Sequence, residues 1–232
     1  MSKIGIIGAM ELEVEQLKSE LKLNRVVQKA NMDFYEGVLN GADVVVVKSG
    51  IGKVNAGICV QILVDEFGIT HVINTGVAGS LKASLDIGDI VVSSDALYHD
   101  MDATGFGYAL GEVPQMGVKE FKADEKMVTL AMESCRKVNP DINVISGRVV
   151  SGDQFISSKE VKDRIIANFQ GYCTEMEGAA VAHGAYLNHI PFVIIRAISD
   201  KADDSAHMDY PTFETQAAKH SAKLVEDLVT KL

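Results

Sequence analysis

Glu175-Met176-Glu177-Gly178-Ala179-Ala180 lies where a short apolar strand at residues 173–175 gives way to a small-residue helix that we predict over residues 178–188. If the strand continued, Glu175 and Glu177 would share one face of it and Met176 would take the other. If the helix begins at Glu177, that carboxylate lies near the positive end of the helix dipole. Both arrangements place acids at the carboxyl end of a strand, where open α/β sheets bind their ligands. The competing interpretation is a solvated acid in the first turn of a surface helix.

Strand-like and helix-like patterns alternate along the rest of the chain. Continuous apolar runs predict strands that are buried on both faces, and apolar residues at helical spacing follow most of them. Asn40-Gly41 is the strongest short hairpin signal, because both positions of such a turn need positive φ. We predict strands at residues 3–9, 33–39, 42–48, 71–75, 89–97, 142–150, 173–175 and 191–198, and helices at residues 11–23, 53–67, 124–138, 157–168 and 178–188, with a last helix starting at Asp209-Tyr210-Pro211.

This alternation predicts an α/β fold, a three-layer α/β/α sandwich with a central mixed β-sheet. Because the sequence shows no linker, low-complexity run or internal repeat, we expect one domain over residues 1–232. Residues 98–121 form a long, glycine-containing segment without a clear period. A loop of that length is usually functional or covered by a partner.

Composition narrows the classes of function. The net charge of −10 argues against a nucleic-acid backbone or an anionic membrane as a partner, but not against an uncharged nucleoside. The three cysteines, Cys59, Cys135 and Cys173, are widely spaced and form no CxxC pair, which indicates a reducing compartment. The first apolar run is too short for a signal peptide, and no apolar run approaches about 18 residues. We therefore expect a soluble cytoplasmic protein.

Common cofactor and metal motifs are missing from the sequence. Gly50-Ile51-Gly52 lacks the third glycine of the dinucleotide fingerprint GxGxxG. Gly52-Lys53 is similar to the end of a phosphate-binding P-loop, but Val54 replaces the required Ser or Thr. The six histidines show no metal-ligand spacing, and no GxSxG elbow occurs. We predict that the chain uses no cofactor and no metal.

Several acids and one arginine are candidates for chemistry. Glu11 and Glu13 are two residues apart on a helix, so one could enter a strand-end cleft while the other faces water. Arg196 is costly to bury in its apolar strand unless a carboxylate or other polar groups satisfy it. Asp200 ends the same strand, where it could serve a ligand or cap a helix. Phe155, which follows the strand-to-loop junction at Ser151-Gly152-Asp153, could pack on a planar ligand or belong to the core.

Six blocks in order along essentially the whole chain carry a family resemblance. They are Ile4-Gly5-Ile6-Ile7-Gly8-Ala9-Met10-Glu11-x-Glu13, Ser49-Gly50-Ile51-Gly52-Lys53-Val54, Asn74-Thr75-Gly76-x-Ala78-Gly79, Ser151-Gly152-Asp153-x-Phe155-Ile156, Glu175-Met176-Glu177 and Arg196-Ala197-Ile198-Ser199-Asp200. Together they resemble bacterial 5′-methylthioadenosine/S-adenosylhomocysteine nucleosidases, which have the purine nucleoside phosphorylase-like fold. The resemblance implies a homodimer that hydrolyses the N-ribosyl bond of these two nucleosides and of 5′-deoxyadenosine. It also implies a place in methionine salvage and in the recycling of S-adenosylmethionine by-products.

The resemblance also implies roles for individual residues. Glu13 would be the base that activates the attacking water, and Asp200 the acid that protonates adenine N7. Ser199 and the Ile156 backbone would help to hold the base, against which Phe155 would pack. None of these roles follows from spacing alone.

A second group of implied roles concerns the sugar and the 5′ substituent. Glu177 would bind the ribose hydroxyls, Met176 would pack on the sugar, and Arg196 would orient acids in the site. The resemblance further implies that the pocket is lined by Met10, Ile51, Val77, Ala78 and Gly79. The 5′-alkylthio end would be closed by residues of the partner subunit, namely those equivalent to Ala103, Phe106, Tyr108 and Pro114.

The chain departs from the family pattern at Val77, where a serine is common. Valine has no hydroxyl to hold the water, so backbone groups there, or Arg196 and Glu13, would have to do so. Position 103 is also small, which would widen the 5′ pocket.

Three alternatives remain open at this point. A purine nucleoside phosphorylase would use phosphate as the nucleophile, which needs a cationic cradle that the acids after the first strand do not offer. A hydrolase of 6-amino-6-deoxyfutalosine would act on the same adenine-ribose unit. A non-catalytic nucleoside-binding protein would keep the pocket without the chemistry.

Overall fold

The computed structural model describes residues 2–232, with the side chain of Met208 left out. Within this range ten strands form one mixed sheet in the order β10-β6-β8-β9-β5-β1-β4-β3-β2, with β7 paired to β6. The strands are β1 (Lys3–Gly8), β2 (Lys22–Lys29), β3 (Met32–Leu39), β4 (Ala42–Lys48), β5 (His71–Ser80), β6 (Ile90–Tyr98), β7 (Phe121–Lys122), β8 (Val144–Ser151), β9 (Cys173–Glu175) and β10 (Phe192–Asp200). The helices are α1 (Glu11–Glu20), α2 (Lys53–Phe67), α3 (Glu125–Val138), α4 (Lys159–Phe169), α5 (Gly178–Leu187) and α6 (Ala206–Leu228).

Helices cover both faces of the sheet, which confirms the predicted α/β fold with a central mixed sheet. Because β1 is buried on both sides, Ile4 and Ile6 pack with α1 and α6, while Ile7 packs with α2 on the other face. Gly5 allows the close approach of α2 and its following loop, since a Cβ there would lie 2.9 Å from Ile69. The alternation of core residues along the first strand therefore sets the three layers.

Half of the sheet closes on itself, a feature that the sequence did not indicate. β10 pairs with both β5 and β6, and β9 pairs with both β8 and β5, so five strands form a ring. The long β5 pairs with β1 as far as Asn74 and with β9 from Gly79 onwards. Between these two pairings the sheet opens on that side of β5, and the candidate site lies at this opening.

Several predicted boundaries were wrong, and each has a physical reason. The first helix ends at Glu20 rather than residue 23, because residues 22–29 form the edge strand β2, paired to β3. This strand is almost wholly exposed and polar, so it shows no apolar alternation. The last helix starts at Ala206, and Pro211 lies inside it rather than at its start. The helix predicted from residue 157 starts at Lys159, and the side chain of Ser158 before it makes no capping hydrogen bond.

Other local predictions were confirmed. Asn40 and Gly41 have φ values of 49° and 90°, as the turn between β3 and β4 requires. The long segment after β6 contains a 3₁₀ turn, Thr104–Phe106, and one isolated antiparallel bridge between Val113 and Val118 before the two-residue strand β7.

Among the residues that the structure describes, no helix combines the length and apolar character needed to cross a membrane.

Candidate active site

A cavity of about 310 Å³ opens at the carboxyl ends of β1, β5, β9 and β10. Its size suits a small organic ligand, and its place at strand ends is where α/β proteins bind ligands. Twelve of the predicted site residues line it, namely Met10, Glu13, Ile51, Val77, Ala78, Gly79, Phe155, Ile156, Met176, Glu177, Ser199 and Asp200. Residues from six separate chain segments thus converge on one cavity.

Glu13 turns into the cavity from the first turn of α1, whereas Glu11 faces solvent and pairs with Lys18. Glu13 Oε2 accepts hydrogen bonds from the backbone N–H groups of Ala9 (2.7 Å) and Met10 (2.9 Å), and Oε1 accepts from Val77 N–H (3.1 Å). Burial raises the pKa of this carboxyl, and the Arg196 charge and the three N–H groups oppose that rise. The two acids therefore differ as the sequence predicted.

Two glycines of β5 make room for the acids of the site. A Cβ at Gly76 would lie 2.5 Å from Glu13 Oε1, and one at Gly79 would lie 2.8 Å from Asp200 Oδ1. Neither glycine has the positive φ that would itself demand this residue type. The approach of the Glu13 carboxylate therefore explains Gly76, and the approach of Ala202 Cβ (2.7 Å) together with the Asp200 carboxylate explains Gly79.

Replacing Gly76 with alanine is expected to lower turnover at least tenfold, because the new methyl group must displace the Glu13 carboxylate by several tenths of an ångström. The measurement is steady-state kinetics of adenine release together with the melting temperature. Gly57→Ala is the matched control, since a Cβ there, within helix α2, meets nothing within 4 Å. Equal kinetics for the two variants would contradict the steric argument.

Asp200 ends β10 and is buried in the wall of the cavity. Its Oδ1 accepts a hydrogen bond from Ala202 N–H at 2.7 Å, and its Oδ2 accepts one from Ser199 Oγ at 2.9 Å. Burial raises the pKa of Asp200, and these two donors partly offset the rise. A raised pKa favours the protonated form, which can donate a proton to a ligand atom.

Arg196 lies behind the cavity wall and does not line it. Its guanidinium is 2% exposed and donates to Glu175 Oε2 (2.5 Å) and to Asn74 Oδ1 (2.5 Å). Burial alone would lower the pKa of Arg196, but the charges of Glu175, Glu13 and Glu177 raise it. The buried cation is thus satisfied, as its position in an apolar strand required, and its charge favours the ionised forms of Glu13 and Glu177 against the effect of burial.

Glu175 and Glu177 separate at the point where the strand ends. Glu175 is the last residue of β9; besides Arg196 it binds the Ser151 hydroxyl and the Gly178 N–H (2.8 Å). Glu177 precedes α5, and its Oε1 accepts a hydrogen bond from Gly52 N–H at 2.7 Å. Burial and the nearby Glu175 charge raise the pKa of Glu177 to about 8. α5 therefore begins at Glu177, its N-cap, which agrees with the predicted arrangement in which this carboxylate lies near the positive end of the helix dipole.

Two aromatic side chains, Phe155 and Tyr210, line the same cavity as the acids. Phe155 is 46% exposed, and its ring centre lies 5.4 Å from that of His207 and 5.7 Å from that of Tyr210 on α6. Tyr210 Oη donates to Met10 Sδ at 3.3 Å, which joins this aromatic pair to the end of β1. The exposed face of Phe155 is available for a planar ligand.

The structure also adds lining residues that the sequence prediction missed: Ala9, Gln154, Thr174, Glu175 and Tyr210. Ala9 and Thr174 lie at predicted strand ends, and Gln154 is the variable position of a quoted block, so strand position could have found them. Tyr210 could not be found in this way, because its helix begins earlier than predicted.

The four residues predicted to close a partner's pocket are absent from the lining of this chain's own cavity. Ala103, Phe106, Tyr108 and Pro114 lie in the segment between β6 and β7, where Phe106 is 88% exposed. In the part of the chain that the structure describes, no group of three or more His, Cys, Asp or Glu side chains could hold a metal ion.

Comparisons with known proteins agree with this geometry. A family model of the phosphorylase superfamily matches residues 3–230. A 5′-methylthioadenosine/S-adenosylhomocysteine nucleosidase of Exiguobacterium sp. is 44% identical over 99% of this chain and 98% of its own length. The crystal structure of such a nucleosidase from Colwellia psychrerythraea, in complex with adenine, is 40% identical, with a TM-score of 0.96 over 100% of this chain and 96% of that one.

A futalosine hydrolase of Helicobacter pylori is also similar, at 33% identity and a TM-score of 0.94 over 100% of this chain and 98% of that one. The nucleosidases of Exiguobacterium sp. and Colwellia psychrerythraea, at 44% and 40% identity, are more similar to this chain in sequence than that hydrolase is. The chain belongs to the phosphorylase superfamily and, within it, to the family of 5′-methylthioadenosine/S-adenosylhomocysteine nucleosidases.

Proposed function

We propose that this protein hydrolyses the N-ribosyl bond of 5′-methylthioadenosine and S-adenosylhomocysteine, and also that of 5′-deoxyadenosine, releasing adenine and the 5′-substituted ribose. One observation carries the proposal: two buried carboxylates enter one cavity, Glu13 from the first turn of α1 and Asp200 from the end of β10. The names of the relatives support the same substrates. The activity would serve methionine salvage and the recycling of S-adenosylmethionine by-products.

The reaction requires developing charge to be stabilised at two places. Cleavage of the bond builds positive charge on the sugar and negative charge on the leaving purine. Asp200, whose pKa is raised by burial, would protonate adenine N7. Glu13, whose ionised form Arg196 and three N–H groups favour against the effect of burial, would take a proton from the attacking water. General acid and general base catalysis each contribute about 10²–10⁴-fold.

The other lining residues would bind the two halves of the substrate. Phe155 would stack on the purine, whose edge Ser199 and the Ile156 backbone would hold. Glu177 would accept hydrogen bonds from the ribose hydroxyls and strengthen them as the sugar becomes cationic. Met176 would pack on the sugar. Met10 and Ile51 would face the 5′ substituent.

Val77 raises the question of how the water is held. Its backbone N–H is already bonded to Glu13 Oε1. We propose that the water is held through Glu13 itself, whose orientation the Val77 backbone fixes. The valine side chain then contributes only an apolar wall.

A phosphorylase is disfavoured by the charge of the cavity. Glu13, Glu175, Glu177 and Asp200 line it, and the described lining includes no Lys or Arg. Because the Arg196 guanidinium is already paired with Glu175, a phosphate would meet carboxylates without a free cation.

The test is adenine release from 5′-methylthioadenosine by phosphate-free protein. We expect turnover without phosphate, no increase in rate with added phosphate, and a sugar product that carries no phosphate. Strict dependence of turnover on phosphate would overturn the hydrolase assignment. Adenine release from 6-amino-6-deoxyfutalosine is measured in the same assay. This measurement tests the second candidate function, hydrolysis of 6-amino-6-deoxyfutalosine, which the similarity to the Helicobacter pylori futalosine hydrolase favours.

We also propose that the enzyme is a cytoplasmic homodimer. Val54 and Ile58 on α2 and Tyr186 and Leu187 on α5 are exposed apolar residues on two helices that pack together, a pattern typical of an interface. The exposed Phe106 would reach the partner's cavity. Three unpaired, buried cysteines suit a reducing compartment.

A further inference from the structure

The N-terminus of α2 is held by two carboxylates that come from distant parts of the chain. Gly52 N–H donates to Glu177 Oε1 at 2.7 Å, and Lys53 N–H donates to Asp153 Oδ1 at 2.9 Å. Gly52 has no side chain to cap the helix, and its φ of 99° favours glycine. One helix end therefore fixes both the carboxylate proposed for the ribose and the loop that leads to Phe155.

A partly buried cluster of charged side chains also holds the loop that leads to Phe155. Asp100 Oδ2 accepts from Lys53 Nζ at 2.6 Å and from Asp153 N–H at 3.0 Å. The side chains of Lys53 and Asp100 are 23% and 15% exposed. Although burial raises the pKa of Asp100, the Lys53 ammonium and the Asp153 N–H outweigh it and hold the pKa below its ordinary value. This ion pair is shielded from solvent more than a surface pair would be.

The loop is also packed closely against the end of β6. A Cβ at Gly152 would lie 2.4 Å from the His99 ring and 3.0 Å from Asp100 Cγ. Gln154, Phe155 and Ile156 follow directly and line the cavity, whereas Asp100 and Lys53 do not touch it. The position of the purine-facing residues thus depends on groups outside the site.

We propose that Asp100 and Lys53 are positioning residues, which tie the loop of residues 152–156 to the start of α2 and so set the affinity of the purine end of the cavity. The proposal rests on the proposed function, because it assumes that the purine binds against Phe155. Neither residue supplies a proton or touches the substrate. Their loss should therefore weaken binding more than it slows bond cleavage.

The test compares Asp100→Ala and Lys53→Met with wild-type protein. We expect KM for 5′-methylthioadenosine and Kd for adenine to rise about tenfold in both, the change that corresponds to about 1.4 kcal/mol, while kcat changes less than about twofold. The effects of the two substitutions should be less than additive in the double variant, because each removes the shared Lys53–Asp100 pair as well as its own contact with Asp153, an N–H bond to Asp100 and a 3.8 Å ion pair with Lys53. Asp163→Ala is the control, since Asp163 makes an exposed pair with Lys159 at 2.5 Å.

Hydrogen exchange separates this proposal from the proposed function. In the unliganded protein, the amides of residues 152–156 should exchange faster in Asp100→Ala and Lys53→Met than in wild type or Asp163→Ala. Unchanged exchange and unchanged KM in both variants would overturn the proposal, as would a fall in kcat at constant KM. If wild-type protein releases no adenine, the proposed function fails, and the exchange result still decides whether the ion pair positions the loop.

Discussion

Asp200→Asn is expected to lower kcat for adenine release by about 10²–10⁴-fold while the protein stays folded. The asparagine amide oxygen can still accept from Ala202 N–H, and the Ser199 hydroxyl can accept from the new amide group instead of donating. The shape of the site is therefore kept. Only the proton that Asp200 would give to adenine N7 is lost.

The measurement pairs turnover with the binding of a non-hydrolysable nucleoside analogue. We expect the Kd of the analogue to change less than about tenfold, because the acid acts on the leaving purine and not on the bound ground state. Asp86→Asn is the control, since that side chain is 89% exposed and pairs only loosely with Lys201 at 3.2 Å. Unchanged turnover in Asp200→Asn would remove Asp200 from the mechanism. It would also favour a nucleoside-binding protein if wild-type turnover is equally low.

Much of the site was predictable because it lies at strand ends. In a parallel arrangement, the carboxyl ends of neighbouring strands meet at one edge, so acids that follow different apolar runs must converge. Glu13 and Asp200 are far apart in sequence; Glu13 lies in the first helical turn after one such run, and Asp200 lies at the end of another. Twelve of the predicted residues accordingly line one cavity.

The features that sequence analysis missed depend on packing or on an exposed surface. β2 is polar because it is an edge strand that faces solvent, and its only sequence signal is the Ala30-Asn31 turn, where both residues have positive φ. The ring of five strands depends on the pairing of β10 with β5, which no local pattern encodes. Tyr210 enters the cavity because α6 starts at Ala206 and carries Pro211 within it.

The surroundings of Arg196 could be predicted only in part from the sequence. An arginine in an apolar strand indicated a buried carboxylate nearby, but not which acid it was. The structure pairs it with Glu175 at the end of the antiparallel neighbour of β5, and places it behind the wall that Glu13 and Glu177 form. The charges of three carboxylates, those of Glu175, Glu13 and Glu177, thus raise the pKa of one guanidinium.

Arg196→Met is expected to lower the free energy of unfolding by about 3–5 kcal/mol, because it leaves Glu175 charged and buried without its cation. The melting temperature, compared at one protein concentration, should fall by roughly 10 °C. The same change should also affect catalysis. Arg196 lowers the pKa of Glu13 against the effect of burial, so its removal should raise that pKa further and move the loss of activity at low pH to higher pH.

These two effects separate in the double variant Arg196→Met/Glu175→Gln, because the neutral amide introduced at position 175 no longer needs a buried cation. We expect its melting temperature to recover most of the loss, since removing both partners of a buried pair costs much less than removing one. The acid limb of the pH profile of kcat/KM should still lie at higher pH than in wild type, because Glu13 must lose its proton without the help of Arg196. A double variant with wild-type stability and a wild-type pH profile would show that Arg196 only compensates Glu175. A shifted profile in a stable protein would show that the buried guanidinium sets the protonation of the base.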